Sequence, residues 1–476
     1  MRIARPVLAA TATRLARRVR VAADARLARP VATVAVPRLA RPVRDAAATS
    51  LARPMPTVAS PSRARPVRVA AAMGLAVVLV AACGGGVERA PRGAATESPS
   101  TPPTGGSLDT SPTVGSVYTP STASPAGTPL PLPAQTASQG WQYAYLGDSG
   151  EPEMLDIVAP ARDDAWAVGR RGDALTLLRY DGTEWRAQEP PPGVSLGDGR
   201  AVLGASGPRD VWLIGGSGAV RWDGTAWRPA PAPGATAVTD LAALGPRDAW
   251  AVTGEDTAWH WDGSRWEGVR LPAKARGVSG TGPGDVWAVG WRDSGPGVAG
   301  EHLTQPAAMH WDGRSWRLVE TPLFQFADPV PPEASATLSE VVAVAPGEAW
   351  ALGEQTFNHG ETENEPADPP PLLLHWDGAK WHRGSAPRSS YCCPRIASAG
   401  AGRVLIVVNG PRMRDSWLRD PSGATTPLPA LPGMPGRPFV TVHALATEPG
   451  TGTVWAAGSV ELNRGAAHHA LVARYP

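Results

Sequence analysis

Apolar residues in the C-terminal two-thirds of the chain fall in short runs, broken by Gly and Pro, and the runs recur as two alternating patterns. The front pattern is an acidic residue, a small apolar residue, a Trp and an apolar stretch closing on Gly or Thr. It appears at Asp164–Gly169, Asp210–Gly215, Asp248–Thr253, Asp285–Gly290 and Glu348–Gly353. The back pattern, aromatic-Asp-Gly-x-x-Trp, follows each of them, at Tyr180–Trp185, Trp222–Trp227, Trp261–Trp266, Trp311–Trp316 and Trp376–Trp381. Looser fronts at Arg403–Val408 and Thr453–Gly458 bring the units to seven. Apolar spacing at i, i+3, i+4 and i+7 is missing, so the units read as strands rather than helix pairs.

Repeats of about 40 to 50 residues built from short strands predict four-stranded sheets arranged around an axis, an all-β seven-bladed propeller. In each unit, strand a precedes the acidic residue, strand b carries the Trp, strand c ends on the aromatic before Asp-Gly, and strand d starts at the closing Trp. Asp-Gly predicts a tight c–d hairpin, both of its residues tolerating positive φ, with the Asp bonding turn amides. The seventh unit has strands near Val440–Leu445, Val454–Gly458 and Ala470–Tyr475 but no fourth. Gly140–Tyr145, ahead of the first unit, resembles a free d strand. Pairing it with the last blade would close the ring and remove two exposed edges. The indoles of Trp166, Trp212, Trp250, Trp287, Trp350 and Trp455 are expected to wedge neighbouring blades apart. His260, His310 and His375, each just before Trp-Asp-Gly, are expected to be packed positions rather than ligands.

Composition divides the chain upstream of the repeats. Residues 1–54 are low complexity, with Ala-Arg-Pro-Val or a variant every twelve residues from Ala4, a pattern that neither helix nor core can use, and translation could begin at Met55. Residues 55–82 carry Arg63, Arg65 and Arg68 and then the apolar run Val69–Ala82, too short to span a bilayer and suited to a signal peptide. Residues 83–138 are rich in Ser, Thr, Pro and Gly and are expected to be a disordered tether with a reach of about 40 Å. The propeller is assigned to 139–476. All but two of the acidic residues lie beyond residue 82, where 30 basic face 41, and this argues against nucleic acid as a partner.

Val80-Ala-Ala-Cys83 resembles the lipobox of bacterial lipoproteins. The resemblance implies that Cys83 is lipidated, becomes the mature N-terminus and anchors the protein to the outer face of the cell membrane. Cys392 and Cys393 are adjacent; a vicinal disulfide or two free thiols fits them better than a metal site, and no metal or cofactor is expected. The b strand closing on Gly, then an aromatic-Asp turn and a Trp, resembles the kelch repeat of galactose-oxidase-type propellers, and also the Asp-box of sialidase-like propellers. The copies depart from both: only Gly215-Gly216 closes a b strand with two glycines, and Asp262 precedes Trp266 by four residues where the Asp-box has five. The resemblance implies the fold and transfers no catalytic residue.

Non-repeating segments carry the candidate site. Trp291–Ala307 and Glu354–Pro371 are inserted between strands b and c of blades 4 and 5, on the face where the long link Thr321–Ser335 also opens. Loops on a rigid scaffold concentrate binding residues. Glu301, His302, Glu354, His359, Glu361, Glu363, Glu365 and Asp368 are therefore the candidate rim, for a cationic ligand, a sugar or a divalent ion; a solvated insertion is the plainer reading. The expected function is a monomeric, membrane-anchored binding or scaffold module for an envelope or extracellular peptide, protein or glycan. A secreted hydrolase or lyase working in the central channel is the alternative, favoured by a convergent His, Asp, Glu or Arg cluster at the channel mouth.

Overall fold

The computed structural model describes residues 129–135, 140–149, 153–196, 200–216, 218–234, 237–360, 365–434, 436, 438–463 and 467–476. Among these there is no helix, and the strands form seven antiparallel sheets. The first strand, β1, is Gln142–Leu146. Blade 1 is β2 (Glu153–Ala161), β3 (Asp164–Arg171), β4 (Ala174–Tyr180) and β5 (Trp185–Gln188). Blade 2 is β6 (Ala201–Gly207), β7 (Asp210–Gly215), β8 (Gly218–Trp222) and β9 (Trp227–Ala230). Blade 3 is β10 (Asp240–Gly245), β11 (Asp248–Val252), β12 (Thr257–Trp261) and β13 (Trp266–Arg270). Blade 4 is β14 (Lys274–Gly282), β15 (Asp285–Asp293), β16 (Thr304–Trp311) and β17 (Trp316–Val319). Blade 5 is β18 (Ser335–Ala345), β19 (Glu348–Thr356), β20 (Leu372–Trp376) and β21 (Trp381–Gly384). In blade 6, β22 (Arg395–Ser398) and β23 (Val404–Val407) are followed by the two-residue β24 (Gly410–Pro411), then β25 (Ser416–Arg419) and β26 (Thr425–Pro427). Blade 7 is β27 (Phe439–Thr447), β28 (Val454–Glu461) and β29 (His468–Tyr475), with β24 on its inner edge.

The inner strands touch in the order β2, β6, β10, β14, β18, β22 and β27, and β27 returns to β2, so the ring is closed. Closure is made by β1, which pairs with β29 from Gln142↔Arg474 to Leu146↔Leu471. Trp141 just ahead of β1 acts as the missing closing Trp. Its ring lies 5.9 Å from Tyr475, matching the 5.7 Å separation of Trp222 from Trp227 within blade 2, and its indole N–H donates to Ser416 Oγ of blade 6 at 3.1 Å. The lead-in also binds this edge. Leu130 N–H donates to Leu146 O, and the Gln135 side chain both donates to Tyr143 O and accepts from Tyr143 N–H. Residues 129–135, expected in the disordered tether, thus belong to the propeller, because they satisfy the outer edge of β1.

Five of the seven junctions are wedges of aromatic rings. Trp166 lies 5.1 Å from both Trp222 and Trp227 of the next blade; Trp212 meets Trp261 and Trp266, Trp250 meets Trp311 and Trp316, and Trp287 meets Trp376 and Trp381. Trp455 of blade 7 meets Tyr180 and Trp185 of blade 1. These b-strand indoles are fully buried. Where blade 6 lacks the back pattern, the Arg419 guanidinium covers the Trp350 ring at 5.3 Å.

An Arg or His side chain lies across each of these rings from the neighbouring c strand of its own blade. Arg179, Arg221, His260, His310, His375 and Arg474 pair in register with the six indoles in turn. Arg179 sits 4.8 Å from Trp166 and donates to Asp164; His260 stacks on Trp250 at 4.3 Å and pairs with Asp248 at 2.9 Å. In blade 7 the acid is Glu448, from the a–b turn, holding both Arg474 and the Trp455 indole N–H. The three His are therefore one form of a position that Arg fills elsewhere.

The Asp-Gly turn differs from the expected tight hairpin. Tyr180 pairs with Trp185 across a four-residue loop, Gly182 alone taking positive φ (90°), while Asp181 accepts from the Thr183 and Glu184 amides. The Asp side chain, not a positive φ at Asp, makes the turn. Replacing Trp250 by Ala is expected to destabilise the ring by about 3–5 kcal/mol. Urea unfolding checks this, and a loss below about 1 kcal/mol would contradict the wedge.

Candidate functional site

The inner strands enclose a channel of about 750 Å³. Its mouth lies at the N-terminal ends of those strands, where Glu153, Arg200, Arg276 and Arg395 stand, joined by Arg170 from the end of β3 and Glu354 from β19. This is the face of the b–c and d–a loops. The a–b turns meet the Asp-Gly turns on the opposite face, as Trp261 Nε1 donating to Pro246 O and Arg209 Nε donating to Asp223 O show.

Three carboxylates at one level of the channel join alternate blades. Asp156 accepts from the Leu203 N–H of blade 2, Asp240 from the Val278 N–H of blade 4, and Glu340 from the Ile396 N–H of blade 6, at 2.7, 2.8 and 3.0 Å. The second oxygen is also used: Asp156 and Asp240 accept from the amides that follow them, and Glu340 from Arg395 Nη1. Asn409 does the same for blade 7, accepting from Val442 N–H. These acids open only to a narrow lumen. Desolvation pushes the Asp156 carboxyl up to about 7 and Asp240 up to about 6, and raises Glu340, against the bonds that favour ionisation. Above them, Glu153 pairs with Arg170 and, at 2.9 Å, with His443; the His443 bond is the main cause that holds its carboxyl below the usual range.

The two insertions do meet. A chain of rings links them: His302 of the blade 4 insertion to Phe326 of the long link at 6.2 Å, Phe326 to Phe357 at 5.3 Å, and Phe357 to His359 at 4.2 Å. Leu303 N–H donates to Ala334 O and Asn358 N–H to Pro332 O. Both insertions are shorter as loops than expected, since β15 and β16 run on through Trp291–Asp293 and Thr304–Ala307, and β19 through Thr356.

Of the expected rim, His302 is buried, and both ring nitrogens are used. Phe326 N–H donates to Nε2, which leaves Nδ1 to donate to Ala299 O. It is a knot in the loop, not a ligand. His359 faces Glu365 at 3.2 Å and Asp368 at 3.3 Å, and Glu365 also accepts from Gly360 N–H. Glu301 is exposed at the surface, and Glu354 lines the channel mouth. Glu361 and Glu363 lie outside the described residues, as does Cys83. No group of His, Cys, Asp or Glu suited to a metal ion occurs among the described residues. Cys392 and Cys393 are joined as a vicinal disulfide at the lip of the channel, which Cys393 lines with φ 67°.

No family model and no curated protein matches the chain. Among solved structures, it is similar to YCF48 bound to a D1 peptide, at 16% identity over 72% of this chain and 99% of that one, TM-score 0.45. YCF48 from Cyanidioschyzon merolae (15%, covering 70% and 98%, TM-score 0.42) and the WD40 propeller domain of Doa1 (12%, 70% and 97%, 0.44) are similar at the same level. The fold therefore rests on this chain's own strand topology.

The channel carboxylates predict a pH dependence. With folded-state pKa values above the ordinary range near 4, Asp156, Asp240 and Glu340 hold protons more tightly in the folded chain, so their contribution to stability falls as pH rises from about 4 to about 7. His375 opposes this, because burial lowers its pKa in the folded chain, so stability is lost as pH falls below the ordinary value near 6.5. Asp181 and Asp262, held near 2 by turn hydrogen bonds, act only below about 4. Asp156→Asn with Asp240→Asn is expected to remove on the order of 2 kcal/mol from the difference in unfolding free energy between pH 5 and pH 8. An unchanged difference in urea titrations would contradict the assignment.

Proposed function

We propose that this chain is a lipid-anchored extracytoplasmic protein whose propeller binds a ligand at the mouth of its central channel. The carrying observation is the 750 Å³ channel, which opens on the face where both insertions and the long link are tied together. A cavity of this size, fixed by seven inner strands, is of the kind that takes a small molecule or a short segment of a larger partner. The anchoring half of the proposal is supported by the order of Arg63, Arg65, Arg68, the apolar run and Cys83. The kelch-like resemblance adds no residue role.

The convergent charges at the mouth favour a second reading, a hydrolase or lyase. Its specific observation is the His443–Glu153 contact. Glu153, however, is shared with Arg170 and held below the usual carboxylate range, which makes it a weak proton acceptor. Binding is the better-supported reading.

Two measurements test the proposal. Cys83→Ala is expected to move the protein from the membrane to the soluble fraction and to abolish its labelling by radioactive palmitate; unchanged fractionation would overturn the anchor. The full chain should also retain a ligand from envelope extracts, read by mass spectrometry. Ser339→Trp, which fills the lumen, and Glu354→Trp at its lip should each reduce that capture about tenfold, whereas Arg314→Glu on the opposite face should not. Equal capture by all variants would place binding elsewhere.

A further inference from the structure

Resting on that reading, we infer that the channel mouth receives a single oxyanion, a carboxylate or phosphate, between Arg200 of blade 2 and Arg276 of blade 4. The charge inventory of the channel carries this. Arg170 is paired with Glu153 and Arg395 with Glu340, and Glu153 also contacts His443. Arg200 and Arg276 line the same cavity, are exposed, and have no ion pair or side-chain hydrogen bond among the described residues.

The backbone is fixed at both positions. The Arg276 carbonyl accepts from Thr239 Oγ1 of blade 3, and Arg200 N–H donates to Leu196 O. Arg276 occupies a bulge in β14, between Ala275 and Gly277, so its side chain leaves the ladder toward the channel. Arg276 lies within electrostatic range of Glu340, but that carboxylate already accepts from Arg395 and from Ile396 N–H.

The acids of the channel offer a cation much less. Asp156, Asp240 and Glu340 each have both oxygens bonded, and Glu153 is bonded to both Arg170 and His443. Glu354 is the one acid of the cavity lining with no partner among the described residues, and it stands on blade 5, beyond Arg276. It disfavours a polyanion while leaving the two guanidiniums for one charged group, to which Arg can offer paired N–H donors. The sign of the expected ligand is thus the reverse of the cationic ligand that the acidic insertions suggested.

The test is isothermal calorimetry on the full chain with three probes: inorganic phosphate, acetyl-triglycine with a free carboxylate, and the same peptide as its amide. Saturable binding of phosphate or of the free peptide is expected, with none of the amide, and the preferred probe separates the two sources of oxyanion. Arg200→Gln with Arg276→Gln should weaken binding about tenfold or more, Arg200→Lys with Arg276→Lys should weaken it less, and Arg314→Gln should leave it unchanged. Thermal melting of each variant checks folding, which exposed arginines should not alter. Equal affinity of the Gln double variant, equal binding of the amide, or no saturable binding of either oxyanion probe would overturn the inference. If the Gln double variant still captures the envelope ligand while Ser339→Trp and Glu354→Trp do not, the channel reading stands and the oxyanion falls.

Discussion

The structure depends on the burial of each b-strand indole by the next blade. Trp166, Trp212, Trp250, Trp287 and Trp455 are covered by two aromatic rings that belong to their neighbour, and Trp350 by a neighbouring guanidinium and apolar residues of blade 6. A single blade would leave a large apolar ring in water, so no unit is stable alone and the ring has to close. The chain solves this with β1 and Trp141, which supply blade 7 with the strand and ring that its own unit lacks. Polar ties follow the same logic nearer the axis, where Asp156, Asp240, Glu340 and Asn409 each fasten one blade to the next.

Much of this was legible in the residues. Trp on b, aromatic-Asp-Gly, and Trp on d are local patterns with fixed spacing, so seven units and the closing strand could be read directly. The side chain over each ring was half visible: His260, His310 and His375 stood out as a repeat, but Arg179, Arg221 and Arg474 belong to the same position before the aromatic. What hid the equivalence is chemistry, since imidazole and guanidinium look unlike in sequence yet both stack on an indole and bond a carboxylate. The carboxylates of the channel were hidden for another reason. Asp156, Asp240 and Glu340 each stand ten residues before the repeated Trp of their own blade, but Val202 and Gly277 take that place in blades 2 and 4, so the acid recurs only in alternate units and does not read as part of the repeat.

The site was legible as a face but not as residues. Strand order alone put the two insertions together, and the ring chain from His302 to His359 shows them meeting. Acidic composition drew attention to the loop tips, whereas the structure spends His302 on holding the loop and, among the described residues, leaves Arg200 and Arg276 at the channel mouth as guanidiniums without a carboxylate partner. Which charges cancel is a property of tertiary neighbours: Arg170 and Arg395 are no different from Arg276 in sequence, and only Glu153 and Glu340 make them so.

Closure is the claim on which the channel, its mouth and the shared face all stand. Hydrogen exchange of the backbone amides in β1, read by mass spectrometry on peptides spanning 142–146, tests it most directly. The account predicts protection comparable with that of β29, reached only by opening of the whole ring. Exchange of β1 at the rate of an unstructured chain, with β29 still protected, would contradict it.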